Sequence, residues 1–248
     1  MPFIEEEIQS SYANALNRAK NRQESSCCPP STSCGCGCAP SVEAPVTNQS
    51  ISFGCLLLET FLSEYVKPGM TVIDLGSGPG HDLMIAARYA GPEGRAIGVD
   101  FTDEMIVEAE NAARKDGLTN VELVKASIED IPLPDGIADI IISNCVINLA
   151  SDKANVFKEA YRLLKPDGLL LDADVIAEKP LTDDIKSNKE LWCSCVGGAL
   201  TIEEHKQVLE EAGFTNIKIE LGEKGLVTFE NRELGILSGL VIARKLCS

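Results

Sequence analysis

Ten cysteines in 248 residues set the chemistry open to this chain, and Cys145 holds the most informative position. It follows the apolar run ADIIIS, within Ser143-Asn144-Cys145-Val146-Ile147-Asn148-Leu149. A thiol at the carboxyl end of a parallel strand faces the crevice in which open α/β sheets take their ligands. Its thiolate is a nucleophile and a soft ligand. A half-buried structural cysteine is the competing use, since free cysteine is among the most buried residue types. Cys195 weighs against that use. It lies in LWCSCVGGAL, where Gly197 and Gly198 suggest backbone close to a ligand, and Cys55 follows Gly54 at the start of an apolar helical stretch. Three thiols from separate segments would form a trithiolate pocket.

The second constellation is Asp74-Leu75-Gly76-Ser77-Gly78-Pro79-Gly80. Glycines at 76, 78 and 80 permit a tight strand-to-helix turn and a close approach of backbone to ligand. A generic turn or a dinucleotide site has the same spacing. The acids favour S-adenosylmethionine. Asp74 stands before the first glycine, where a carboxylate meets a cationic amino-acid end or holds the loop, whereas it would repel a pyrophosphate. Asp100 ends the next strand, where an acid holds ribose hydroxyls or caps the following helix. Phe101 and Met105 could cover an adenine face or pack in the core. Ser127, Ile128 and Glu129 stand where the adenine edge would lie, although Glu129 could equally be a solvated acid. Asn144, beside Cys145, completes the expected cofactor set.

These residues need elements to hold them. Ile4, Ile8, Tyr12, Leu16 and Ala19 predict an amphipathic helix to about Lys20. Residues 24–50 are rich in Ser, Pro, Gly and Cys without apolar periodicity and read as a mobile arm holding Cys27, Cys28, Cys34, Cys36 and Cys38. A helix is expected over 55–65, ended by Lys67-Pro68-Gly69. Strands over 71–75, 96–100, 121–126, 138–143 and 169–175 then alternate with helices over 81–89, 103–115 and 152–164. Such short apolar strands imply a parallel sheet covered on both faces. After a less regular insert at 176–200, Thr201-x-x-Glu204 predicts a capping box opening a helix to about Ala212. Strands over 215–221 and 234–244 would close the sheet with an antiparallel edge. The expected fold class is α/β: a doubly wound, mostly parallel, seven-stranded, Rossmann-like sheet. Residues 1–50 form the helix and arm, and 51–248 the domain.

Composition excludes some partners. A formal net charge of −16 argues against nucleic acid or an anionic membrane as a main partner, because phosphate calls for a basic stripe. The start MPFIEEEIQS lacks the apolar run of a secretory signal, and no stretch reaches membrane-spanning length, so a cytoplasmic protein with reduced thiols is expected. The arm allows transient capture of a thiophilic substrate, supply of a thiol for disulfide steps, or metal binding. Its C-x-C-x-C spacing lacks the paired C-x-x-C of a structural zinc site, which favours the reductive relay. Cys193 could assist Cys195, and Cys247 is expected to be incidental. His81 and His205 are expected to face solvent or cap, His205 from an exposed helix face.

Residues 66–170, ending in EAYRLLKPDG, resemble the class I S-adenosylmethionine-dependent methyltransferases. YANALNRAK followed by SCC, then DLGSGPGHD, GVDFTDEM, SNCVINL, EAYRLLKPDG and CVGGAL, resemble the arsenite methyltransferase family across nearly the whole chain. That resemblance implies methyl transfer from S-adenosylmethionine to trivalent arsenic, or its thiol conjugates, held by Cys55, Cys145 and Cys195. It also implies redox steps through one of the arm cysteines and recycling by small thiols or a thioredoxin-type reductant. Another soft metalloid, such as antimony, fits the same thiols. Relative to the long members of the family, an extended carboxyl-terminal domain is not expected, which leaves the number of methyl transfers open.

Overall fold

The sheet is built from strands whose residues are apolar on both faces, so each must be covered twice. The computed structural model describes residues 8–10, 13, 55–230 and 232–247, with side chains at all of these except 55–58, 223 and 226. In chain order the elements are α1 (Cys55–Tyr65), β1 (Thr71–Leu75), α2 (His81–Ala90), β2 (Arg95–Asp100), α3 (Asp103–Lys115), β3 (Val121–Lys125) and β4 (Ala138–Asn144). A 3-10 turn (Ile147–Leu149), α4 (Lys153–Leu163), β5 (Leu164–Ala177), α5 (Asp183–Lys186), α6 (Lys189–Cys193), α7 (Ile202–Ala212), β6 (Thr215–Phe229) and β7 (Arg232–Arg244) follow.

The seven strands run in the order β3-β2-β1-β4-β5-β7-β6. β1 to β5 pair in parallel, and β7 is antiparallel to both β5 and β6, so the antiparallel strand expected at the closing edge stands one position in and the edge strand β6 runs in the direction of β1 to β5. The chain leaves β1 toward β2 on one side, while β4 flanks β1 on the other. Strand order reverses there, and a crevice opens at the carboxyl ends of β1 and β4.

Alternation along each strand feeds two cores. Ile73, Leu75, Ile97, Val99 and Ile141 pack with Phe157 of α4 and Leu209 of α7 on one face. Val72, Ile140, Ile142, Leu169 and Leu171 pack with Leu62 of α1 and Ile85 of α2 on the other. A third cluster joins Leu149, Val175, Ala177, Ile185, Cys195 and Val196 beneath the insert, and Ile8 is buried in it. Residues 8–10 and 13 are helical, in line with the expected amino-terminal helix, whose other positions lie outside the described residues. The arm at 24–50 lies outside them too.

Local chemistry sets the helix ends. At α7 the Glu204 amide donates to Thr201 Oγ1 at 3.2 Å while Thr201 N–H donates to Glu204 Oε2 at 2.8 Å, the expected capping box. Gly213, at φ 102°, ends that helix in the left-handed region. Asp152 caps α4 by accepting from Asn155 N–H at 3.0 Å. No helix among the described residues is long and apolar enough to cross a membrane.

Three expectations need correction. β5 begins at Leu164 and runs to Ala177, taking in the Lys165-Pro166-Asp167-Gly168 turn. β6 and β7 continue past the expected limits to Phe229 and from Arg232, because a register shift between Leu221 and Lys224 absorbs Gly222 and lets pairing resume. His205 is wholly buried. It lies four residues before Leu209 on the apolar face of α7, edge-on to Phe157, with Nδ1 3.1 Å from the Thr201 carbonyl. Burial lowers it to about 4, so it sits neutral in the core.

Candidate active site

β1 ends in a loop of tight glycines. The Gly76 and Ser77 amides donate to the Val99 carbonyl at 2.8 and 3.0 Å, tying the loop to β2. Gly76 is at φ 67°, and a Cβ there would lie 2.4 Å from Val146 Cγ2. The glycine loop therefore touches the residue that follows Cys145. A Cβ on Gly80 would reach Met84 and Ala109, whereas one on Gly78 would meet nothing within 4 Å. The loop is thus packed at its ends and open at its centre.

Acids surround it. Asp100 Oδ2 accepts from Gly78 N–H at 3.0 Å and its Oδ1 from Thr102 N–H at 2.8 Å, so this carboxylate shapes both the loop and the start of α3. Asp74 is buried, and burial, followed by the charges of Asp82 and Asp100, holds its carboxyl well above the usual range. Asp82, in the first turn of α2, accepts from Asn144 Nδ2 at 2.8 Å and is also raised by burial. Ser77 Oγ and Asp82 Oδ1 are buried without a hydrogen-bond partner. Orphaned polar atoms beside an open glycine backbone suit a small polar ligand with cationic and hydroxyl groups.

Other expected cofactor residues lie around the ends of β2 and β3. Met105 and Ile128 are buried, and Phe101 packs against the cluster that contains Cys145, Val146 and Cys195. Ser127 Oγ accepts from Glu129 N–H at 3.3 Å. The Glu129 carboxylate is engaged elsewhere: its Oε1 accepts from the Ser151 and Asp152 amides at 2.8 and 3.0 Å, ahead of α4.

At the end of β4, Cys145 N–H donates to the Ala173 carbonyl of β5 at 2.8 Å, and the chain then turns with φ 57°. Cys195 is likewise left-handed, at φ 64°. Cys145 and Cys195 are two of five described non-glycine residues with positive φ, the others being Asp167, Asn216 and Glu230, and such backbone persists where its surroundings hold it. The two thiols meet. Cys195 Sγ donates to the Cys145 carbonyl at 2.7 Å and lies close enough to hydrogen-bond the Cys145 thiol. That bond, then burial, then the charge of Asp174 push the Cys145 thiol up. Cys145, Cys193 and Cys195 are free thiols packed in one apolar cluster, and Cys247 is free and exposed. Cys55 is the first residue of α1, with its side chain outside the described set. Among the described residues no three His, Cys, Asp or Glu side chains gather as metal ligands.

A polar group that sequence reasoning missed lies under the thiols. Asp174 of β5 accepts from Asn148 N–H at 3.1 Å, from Asn148 Nδ2 at 2.8 Å and from Val175 N–H at 2.8 Å. Burial pushes Asp174 up to about 7, and Lys153 beside it is lowered by burial to about 8. Asp172, two residues earlier on the same strand, is fully buried and raised by burial and by Asp174. Two acids inside the apolar run LLLDADV were the available signal, because buried carboxylates are rare without a role. Asp82 could have been found in the same way, as an acid in the first turn after a glycine loop.

Residues 66–213 match a family model described as a methyltransferase domain. The chain is 36% identical over 213 residues to an arsenite methyltransferase of Halobacterium salinarum, spanning 84% of this chain and 54% of that protein. It is 36% identical over 230 residues to an arsenite methyltransferase of Aquipseudomonas alcaligenes, spanning 87% and 63%. It therefore covers less than two thirds of the length of these relatives. A solved structure of an arsenic(III) S-adenosylmethionine methyltransferase from Chlamydomonas reinhardtii aligns with TM-score 0.64 and 31% identity, covering 74% of this chain and 65% of that one.

Proposed function

The chain belongs to the methyltransferase-domain family, and from that premise we propose that it transfers methyl groups from S-adenosylmethionine to trivalent arsenic held by cysteine thiolates. The observation that carries this reading is the meeting of two left-handed cysteines, Cys145 and Cys195, next to the residue against which the glycine loop packs. The arsenite methyltransferases to which the chain is similar support the same substrate.

S-adenosylmethionine, when bound, supplies an activated methyl group on a sulfonium centre. Asp100 would accept hydrogen bonds from the ribose hydroxyls, and the backbone of Gly76, Ser77, Gly78 and Gly80, with Asp74 and Asn144, would hold the amino-acid end. Phe101 and Met105 would cover the adenine face, and Ser127, Ile128 and the backbone of Glu129 would border its edge.

Trivalent arsenic is soft and prefers sulfur. When Cys145 or Cys195 binds arsenite, a sulfur–arsenic bond forms as an arsenic–oxygen bond breaks, and the thiol proton leaves on the displaced oxygen as water. Cys55 supplies the third sulfur. Three sulfurs on one side of the pyramid leave the arsenic lone pair pointing out of the other, toward the methyl group. Such positioning supplies part of the ~7–11 kcal/mol available from near-attack geometry, and no general base is needed. Giving the lone pair to carbon takes arsenic from the trivalent to the pentavalent state. Two arm thiols would return the two electrons by forming a disulfide, which small thiols or a thioredoxin-type reductant would reduce again in a reducing cytoplasm.

Cys145→Ser and Cys195→Ser test the reading, with methylated arsenic measured by mass spectrometry. Each substitution should lower product formation by about a hundredfold or more, as expected when one arm of a chelate is lost. The dissociation constant of S-adenosylmethionine should stay within about twofold, since neither thiol lies in the glycine loop. Wild-type turnover by both variants would refute it.

A further inference from the structure

The two thiol-bearing segments are joined through a single turn. Asn148, in the 3-10 turn that follows Cys145, is fully buried, and its amide group donates to Asp174 Oδ1 and to the Val175 carbonyl, each at 2.8 Å. From the other side the segment after Cys195 presses on it: a Cβ on Gly198 would lie 1.9 Å from the Asn148 carbonyl oxygen. Trp192 Nε1 donates to the Leu149 carbonyl at 3.1 Å, and the Lys153 ammonium sits 4.8 Å above the Trp192 ring. Cys195 N–H in turn donates to the Trp192 carbonyl at 2.9 Å. The turn thus stands between β5 and the insert, fixed to both.

Resting on the reading of Cys145 and Cys195 as arsenic ligands, we propose that Asn148 is a positioning residue: anchored on Asp174 and backed by Gly198 and Trp192, it fixes the separation of the two sulfur atoms. Neither Asn148 nor Trp192 needs to touch arsenic. Their contribution is the pre-set spacing that makes the second sulfur–arsenic bond intramolecular. Gly198 has to be glycine here because of the close approach of a carbonyl, with no unusual dihedral involved.

Phenylarsine oxide, an arsenical that needs two thiols, is the probe. The test uses the 248-residue chain with Cys27, Cys28, Cys34, Cys36 and Cys38 replaced by serine, so that the arm does not compete. Digestion and mass spectrometry score the bridge between Cys145 and Cys195, and competing dimercaptopropanol measures its strength. In Gly198→Ala the bridge should be stripped by about a tenth of the dimercaptopropanol needed for wild type, the loss of effective concentration from a spread pair. Trp192→Phe keeps an aromatic ring but removes the indole N–H and its hydrogen bond to Leu149, and should weaken the bridge about two- to tenfold. A cooperative urea unfolding transition and an unchanged circular dichroism spectrum in both variants distinguish altered spacing from unfolding. Wild-type resistance to stripping in folded Gly198→Ala and Trp192→Phe would overturn the proposal, as would absence of the bridge in the parent chain. A bridge in a protein that does not methylate arsenite supports the positioning role and removes the functional reading.

Discussion

Cys145 and Cys195 share an unusual backbone as well as a hydrogen bond. Left-handed φ at a non-glycine residue costs on the order of 1–3 kcal/mol and persists only where neighbours over-determine it, here the Ala173 carbonyl, the Asn148 turn and the Trp192 carbonyl. The Cys195 thiol, burial and Asp174 hold the Cys145 thiol protonated. Iodoacetamide alkylation of Cys145 should therefore rise about tenfold per pH unit up to pH ~9 without a plateau, because the thiolate fraction keeps growing below the pKa. A plateau near pH 7 would show an activated thiolate instead. At the cofactor loop, Asp100→Ala removes the acceptor of the Gly78 and Thr102 amides. S-adenosylmethionine binding, followed by calorimetry, should weaken about tenfold or more, as for loss of hydrogen bonds to a charged group; an unchanged dissociation constant would contradict the placement of the ribose. The sequence displays the thiols and glycines because their chemistry is in the residue type. Asn148 and Asp174 escaped notice because what matters about them is whom they meet across strands.

The elements were legible wherever local rules and burial agree. Helices α1, α3 and α7 begin and end at or within a residue of the positions implied by apolar periodicity, capping box and breakers. The β6–β7 hairpin runs beyond the expected limits of 215–221 and 234–244 because long-range pairing with β7 carries β6 through Gly222 and Gly225. His205 was misread because lone histidines are counted as polar, yet its position four residues before Leu209 puts it on the packed face. The capping box gives a direct energetic prediction. Thr201→Ala should destabilise the protein by about 1 kcal/mol in urea unfolding, since the Glu204 amide loses its acceptor. Because α7 directly follows the Cys195 segment, the same variant should also weaken arsenical bridging, while a change in neither quantity would mean that the cap is idle.

Across the molecule, the open sheet gathers the glycine loop, Cys145 and the buried acids toward the carboxyl ends of its central parallel strands. The carboxyl ends of β1, β2, β4 and β5 supply the glycine loop, Asp100, Cys145 and the buried acids, while the net charge of −16 disfavours polyanionic partners. Burying acids there has a pH signature. With Asp174 pushed up to about 7 from an ordinary 3.8, the folded state binds more protons than the unfolded state between those values. The Asp174 contribution to stability is thus fully present below the ordinary value and is lost as pH rises through about 7. Relative to Asp174→Asn, the wild-type chain should lose stability in urea between pH ~4 and ~7 and level off above, and a pH-independent difference would contradict the assignment. The most direct test of the whole account is methyl transfer itself. Protein incubated with S-adenosylmethionine carrying an isotopically labelled methyl group, arsenite and a dithiol reductant should yield arsenic bearing that label. Unlabelled arsenic, with the label appearing instead on an organic acceptor, would contradict it.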